Sequence, residues 1–161
     1  MNNTFQENQK FTSWILWVIL IGTTGFILYG LYQQLIADVP FGDNPSSDTE
    51  LILVFLLMAA LIVFFALLRL KTNIDQKEIR IHYFPVLKKS FKWADIESAQ
   101  VVKHNVFGWG FRYSFKYGTV YNVKGNEGLS IELKSGKKYL IGTQKADELK
   151  TFLTKIAVNK S

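Results

Sequence analysis

Eighteen consecutive residues, Leu51 to Leu68, carry no charge, and they restrict what the chain can fold into more than any other feature. At about 1.5 Å per residue such a helix is roughly 27 Å long, close to the hydrocarbon thickness of a bilayer. Arg69 follows, and its long side chain can reach back to headgroup level. A second uncharged run, Phe11 to Ala37, precedes it. Its spacing predicts a span over residues 14–36, with Trp14 and Trp17 near one end and Tyr29 and Tyr32 near the other, as membrane interfaces favour. The run is too long for a signal-peptide core, and no small-x-small cleavage site follows.

Between the two runs lies an acidic, turn-rich loop, residues 37–50, with Asp38, Asp43, Asp48 and Glu50 and no Lys or Arg. Lys10 precedes the first run; Arg69, Lys71, Lys77 and Arg80 follow the second. The positive-inside rule places both termini in the cytoplasm and the loop outside. Neither run contains an ionisable residue in its interior, so the hairpin reads as an anchor and not as a transport path. Gly22, Gly25 and Gly30, facing Ala59 and Ala60, suit close helix packing. The expected division is therefore an anchor over 1–70, with spans at about 14–36 and 51–70, and a cytoplasmic domain over 71–161. Met1 to Lys10 is short and polar and is expected to fray.

Residues 71–161 hold 17 of the 19 Lys and Arg and 8 of the 13 Asp and Glu, a net charge of +9. Such a domain is drawn to an anionic leaflet. There is no cysteine, which excludes disulfides and thiolate chemistry. Strand periodicity begins at once: Ile79, Ile81 and Tyr83 alternate with Arg80 and His82. Val86–Phe91 and Ile96–His104 read as further strands. Phe107, Trp109, Phe111, Tyr113, Phe115 and Tyr117 occupy every second position. The glycines Gly108 and Gly110 favour a loop over 107–110 and a strand over 111–117. Phe111, Tyr113 and Phe115 are expected to fill the core, as large apolar rings usually do. Leu129–Leu133 and Lys137–Ile141 form a hairpin about Ser135-Gly136. Thr143 is the expected N-cap of a last helix whose stripe includes Ala146, Leu149, Phe152, Leu153 and Ile156.

About seven strands and a closing amphipathic helix make an α+β chain. Lys92-Trp93-Ala94-Asp95-Ile96, Gly108-Trp109-Gly110-Phe111-Arg112, Tyr121-Asn122-Val123 and the stretch from Leu129 to Lys138 followed by Ile141-Gly142-Thr143-Gln144 resemble bacterial pleckstrin-homology-like (PH-like) membrane proteins over residues 72–157. The resemblance implies a PH-like β-barrel and a binding or scaffolding module that engages a protein partner, a second copy or anionic lipid headgroups. It does not imply an enzyme. The Lys-x-Arg end of the phosphoinositide motif is missing, so that specificity does not carry over.

Candidate ligand-contacting residues are Lys88, Lys89, Lys92, Lys137 and Lys138, as an anionic headgroup surface, with Trp109 at the interface. Arg112 either anchors an anion, pairs with a carboxylate such as Asp95 or Glu97, or reaches water. Catalytic residues, metal ligands and cofactors are not expected: His82 and His104 lack further zinc ligands, and no nucleophile elbow or phosphate loop appears. Other readings are a basic, aromatic nucleic-acid binder, which the lipid anchor disfavours, and an accessory subunit of a membrane transport or signalling assembly.

Overall fold

The computed structural model describes residues 4–105 and 110–158. The chain forms two compact units, one of residues 12–67 and one that joins the segment ending at Phe11 to the chain from Leu68 onward.

The first of these is a helical hairpin of α1 (Trp14–Leu35) and α2 (Asp48–Leu67). Both are long and apolar enough to cross a membrane. None of the α2 residues is buried, and Leu53 and Leu57 are among those left bare. The apolar residues of α2 run round all its sides. A capping box starts α2 three residues before the expected run: the Ser47 N–H donates to Glu50 Oε2 at 3.0 Å, and the Glu50 N–H donates to Ser47 Oγ at 3.3 Å. Phe41 folds back on α1, its ring 5.2 Å from Phe26 and against Gly30, where a Cβ would meet it at 2.7 Å.

The other unit is α+β. Strands β1 (Phe5–Lys10), β2 (Arg69–Ile74), β3 (Glu78–Phe84) and β4 (Leu87–Lys92) form an antiparallel sheet in that order. A 3-10 turn, Trp93–Asp95, leads to β5 (Ile96–Lys103), β6 (Gly110–Ser114), β7 (Gly118–Asn122), β8 (Glu127–Leu133) and β9 (Lys138–Gly142). These form a second sheet, ordered β5-β8-β9-β7-β6, in which β7 and β9 run parallel. Helix α3 (Ala146–Val158) packs along β5. The core holds Leu70, Ile79, Leu129, Ile131, Leu140 and Leu149.

Four expectations change. The sheets do not close into one barrel; the seven expected strands are present as β3 to β9, and β1 and β2 add two more ahead of them. The N-terminal segment does not fray: it pairs with β2 from Phe5↔Ile74 to Lys10↔Arg69. Two of its three inward side chains, Glu7 and Gln9, are polar and bond to groups far along the chain. Gln9 Nε2 donates to the Gly142 carbonyl at 2.7 Å; Thr143 Oγ1 and the Gln144 N–H donate to the two Glu7 carboxylate oxygens at 2.6 and 2.7 Å. Thr143 is therefore not the N-cap. The Lys145 carbonyl accepts the first helical bond, from Leu149, while Thr143 Oγ1 accepts from the Lys145 N–H in the turn before it.

The fourth change concerns the aromatic run. Phe107 to Trp109 lie outside the described residues. Beyond them the strand does not continue to Tyr117 but folds into a β6–β7 hairpin, Ser114 opposite Gly118. Gly118 has φ +65°, and a Cβ there would collide with the Lys138 carbonyl, so only glycine lets β7 lie this close to β9. Phe111, Tyr113 and Phe115 are not core: they are 58%, 73% and 101% exposed. β6 is the edge of its sheet, and its covered face carries Gly110, Arg112 and Ser114 instead.

Candidate anion-binding face

Alternation in the first sheet separates a core face from a charged face. In β2, Leu70, Thr72 and Ile74 are buried, which turns Arg69, Lys71 and Asn73 outward. In β3, Ile79, Ile81 and Tyr83 are buried, which turns Arg80, His82 and Phe84 to the same outer side. The register then composes rows across strands. Lys10 lies opposite Arg69 and Arg69 opposite Phe84; Asn8, Lys71, His82 and Lys88 follow two residues on; Gln6, Asn73, Arg80 and Ser90 come next. An open groove of about 350 Å³ runs over this face, lined by Lys71, Asn73, Arg80, His82, Lys88 and Ser90, with Ile81 and Lys89 also on its wall.

The charges are unevenly matched. Arg80 pairs through Nη2 with Asp75 and through Nε with Glu78 at 3.4 Å. Asp75 Oδ1 also accepts from the Glu78 and Lys77 N–H groups at 2.9 and 2.8 Å. Those backbone bonds, Glu78 first, hold its carboxyl below the usual range. Lys71 and Lys88 make no ion pair among the described residues. His82 stands between them in the ladder, and partial burial, then the Lys88 and Lys71 charges, pull its pKa below the ordinary histidine value. A row of cations this close repels itself, and an anion placed over it removes that repulsion.

The expected site residues do not assemble. Lys88 belongs to the groove. Its neighbour Lys89 turns the other way, donates to Tyr139 Oη at 2.9 Å and lies 4.2 Å from that ring's centroid. Lys92 is exposed at the end of β4, opposite Glu78. Lys137 and Lys138 lie at the β8–β9 hairpin, where Lys138 pairs with Glu132 at 3.0 Å. Trp109 is outside the described residues. Lys10, Arg69 and Lys71 join the face unforeseen. Alternation through β2 marks Lys71 as outward, but only the register shows that it meets His82 and Lys88.

Arg112 pairs with neither Asp95 nor Glu97: its Nε and Nη2 are buried and donate to no partner among the described residues. Its face of β6 meets Tyr83, whose hydroxyl would lie 3.9 Å from a Cβ on Gly110 and is itself buried without a partner among the described residues. Burial raises the Tyr83 pKa, with Arg112 opposing; burial and then Arg112 lower that of His104. Among the described residues no group of His, Asp or Glu is arranged to hold a metal ion.

No described protein family matches this chain, and no curated protein matches it.

Proposed function

We propose that this chain is a membrane-anchored, PH-like binding module, not an enzyme, whose outer sheet face engages anionic lipid headgroups on the cytoplasmic side of the membrane. The observation that carries this reading is the Lys71–His82–Lys88 row, two of whose members lack a carboxylate partner, lying beside Lys10 and Arg69. Lys10 is four residues from the start of α1, and Arg69 is two residues from the end of α2. If the helices span, these cations enter the headgroup region by chain length alone. Each Lys or Arg held there contributes about 1 kcal/mol of attraction to an anionic leaflet. The pairing of β1 with β2 also supports the topology. Strands that exchange backbone hydrogen bonds occupy one compartment, so the hairpin must leave and return on one side, and the acidic loop lies across the membrane.

Native mass spectrometry of the detergent-solubilised chain tests the assignment, with phosphatidylglycerol and phosphatidylcholine offered together. The chain is expected to retain phosphatidylglycerol preferentially, and the Lys71→Gln/Lys88→Gln variant to lose that preference. Equal retention of the two lipids, or an unchanged preference in the variant, overturns it.

A further inference from the structure

The end of the first sheet that carries Lys10 and Arg69 also carries exposed apolar side chains. Phe84 is the direct ladder partner of Arg69 and is 38% exposed; Val86, in the turn that follows, is 53% exposed. The Val86 N–H donates to the Tyr83 carbonyl at 2.8 Å, so the turn is held tightly and presents Val86 from a fixed frame. The second sheet approaches β3 at Gly110, where a Cβ would lie 3.9 Å from the Tyr83 hydroxyl, and Phe111, the next residue, turns away from Tyr83 and is 58% exposed. Phe111 leans on Tyr121, ring centroids 5.5 Å apart, which keeps it from folding away.

Phe84 and the Lys71–His82–Lys88 row share one face of the sheet, separated by two residues, or about 7 Å along a strand. An apolar tip followed at that depth by a band of cations matches the order of a bilayer surface, acyl boundary first and phosphates next. A peptide groove would not need this layering, and a second copy of a unit of net charge +10 would be repelled by it.

We propose that Phe84, Val86 and Phe111 form a rim that inserts into the acyl–headgroup boundary of the membrane, fixing the depth at which the basic face meets headgroups. This rests on the membrane reading above and adds a docking surface to it.

The chain has no cysteine, so single cysteines can be introduced and spin-labelled without a background. Labels at Val86→Cys, Phe111→Cys, Ala60→Cys in α2 and Gln100→Cys on exposed β5 are compared in full-length protein. The protein is reconstituted in vesicles of phosphatidylcholine and phosphatidylglycerol. The readout is collision with oxygen, which concentrates in lipid, against a water-soluble nickel chelate. Oxygen-to-nickel accessibility ratios at 86 and 111 are expected several-fold above that at 100 and below that at 60. Ratios at 86 or 111 equal to that at 100, with 60 still in lipid, overturn the rim and leave the spans standing. A water-like ratio at 60 overturns the anchored reading and the rim with it.

Discussion

The clasp between the N-terminal strand and the approach to α3 yields the sharpest energetic prediction. Glu7 is 8% exposed and accepts from Thr143 Oγ1 at 2.6 Å and from the Gln144 N–H at 2.7 Å. Hydrogen bonds to a charged acceptor are worth about 1.5–3 kcal/mol each. Glu7→Ala removes both acceptors and leaves the Gln144 N–H without its acceptor. The combined loss is expected near 3 kcal/mol, toward the low end because the hydroxyl of Thr143 still accepts from the Lys145 N–H. Glu7→Gln keeps one acceptor oxygen and the volume, so its loss is expected at about 1 kcal/mol. Thr143→Val should account for part of the Glu7→Ala loss in a double-mutant cycle, because the two share one bond. Urea unfolding of the full chain in mild detergent, followed by tryptophan fluorescence, reads the parent, the three single variants and the Glu7→Ala/Thr143→Val double variant. A Glu7→Ala variant within about 0.5 kcal/mol of the parent refutes the clasp, since surface substitutions stay within that margin. A Gln variant as damaged as the Ala variant refutes the hydrogen-bond account of it.

Gly118→Ala should destabilise the two-sheet unit by at least about 2 kcal/mol, because φ is +65° and the new methyl meets the Lys138 carbonyl; thermal melting checks it against Gly136→Ala, whose positive φ faces open space. Acid should weaken the fold through His104. Its folded pKa lies below the ordinary value of about 6.5, so the unfolded chain takes up the proton first. The stability it contributes is present above that pH and is lost as pH falls toward the lowered value, and His104→Gln should flatten this slope in melts between about pH 7 and 5. His82 acts in the opposite sense on binding: as pH falls its protonation adds a charge to the basic row, so retention of phosphatidylglycerol should rise, and His82→Gln should remove that rise.

The two long apolar helices could be read from sequence because an apolar helix advertises itself on every side, as α2 does from Leu51 onward. Its true start at Asp48 was also written there, in the Ser47–Glu50 capping box. Strand β3 was legible because Ile79, Ile81 and Tyr83 are apolar and inward together. β1 was not, because Glu7 and Gln9 face inward while remaining polar, and the residues they bond to are more than 130 positions away. Alternation in β6 was plain, but its sign was not. Period 2 shows that Arg112 and Tyr113 point to opposite faces; which face is covered depends on Tyr83, from another sheet. Lys88 and Lys89 teach the same lesson one residue apart, the first opposite His82 on the outer face and the second with its ammonium on Tyr139. Composition identified the basic patch as a kind of surface, and register alone chose its members.

The central claim is that the paired strands β1 and β2 hold both ends of the helical hairpin on one side of a membrane. Single cysteines at Gln6, Gln76 and Asp43, each exposed, can be probed with a membrane-impermeant maleimide on sealed, right-side-out vesicles. Labelling of position 43 alone, with 6 and 76 reacting only after permeabilisation, is the predicted result. Labelling of 43 together with 6 or 76 before permeabilisation would contradict it.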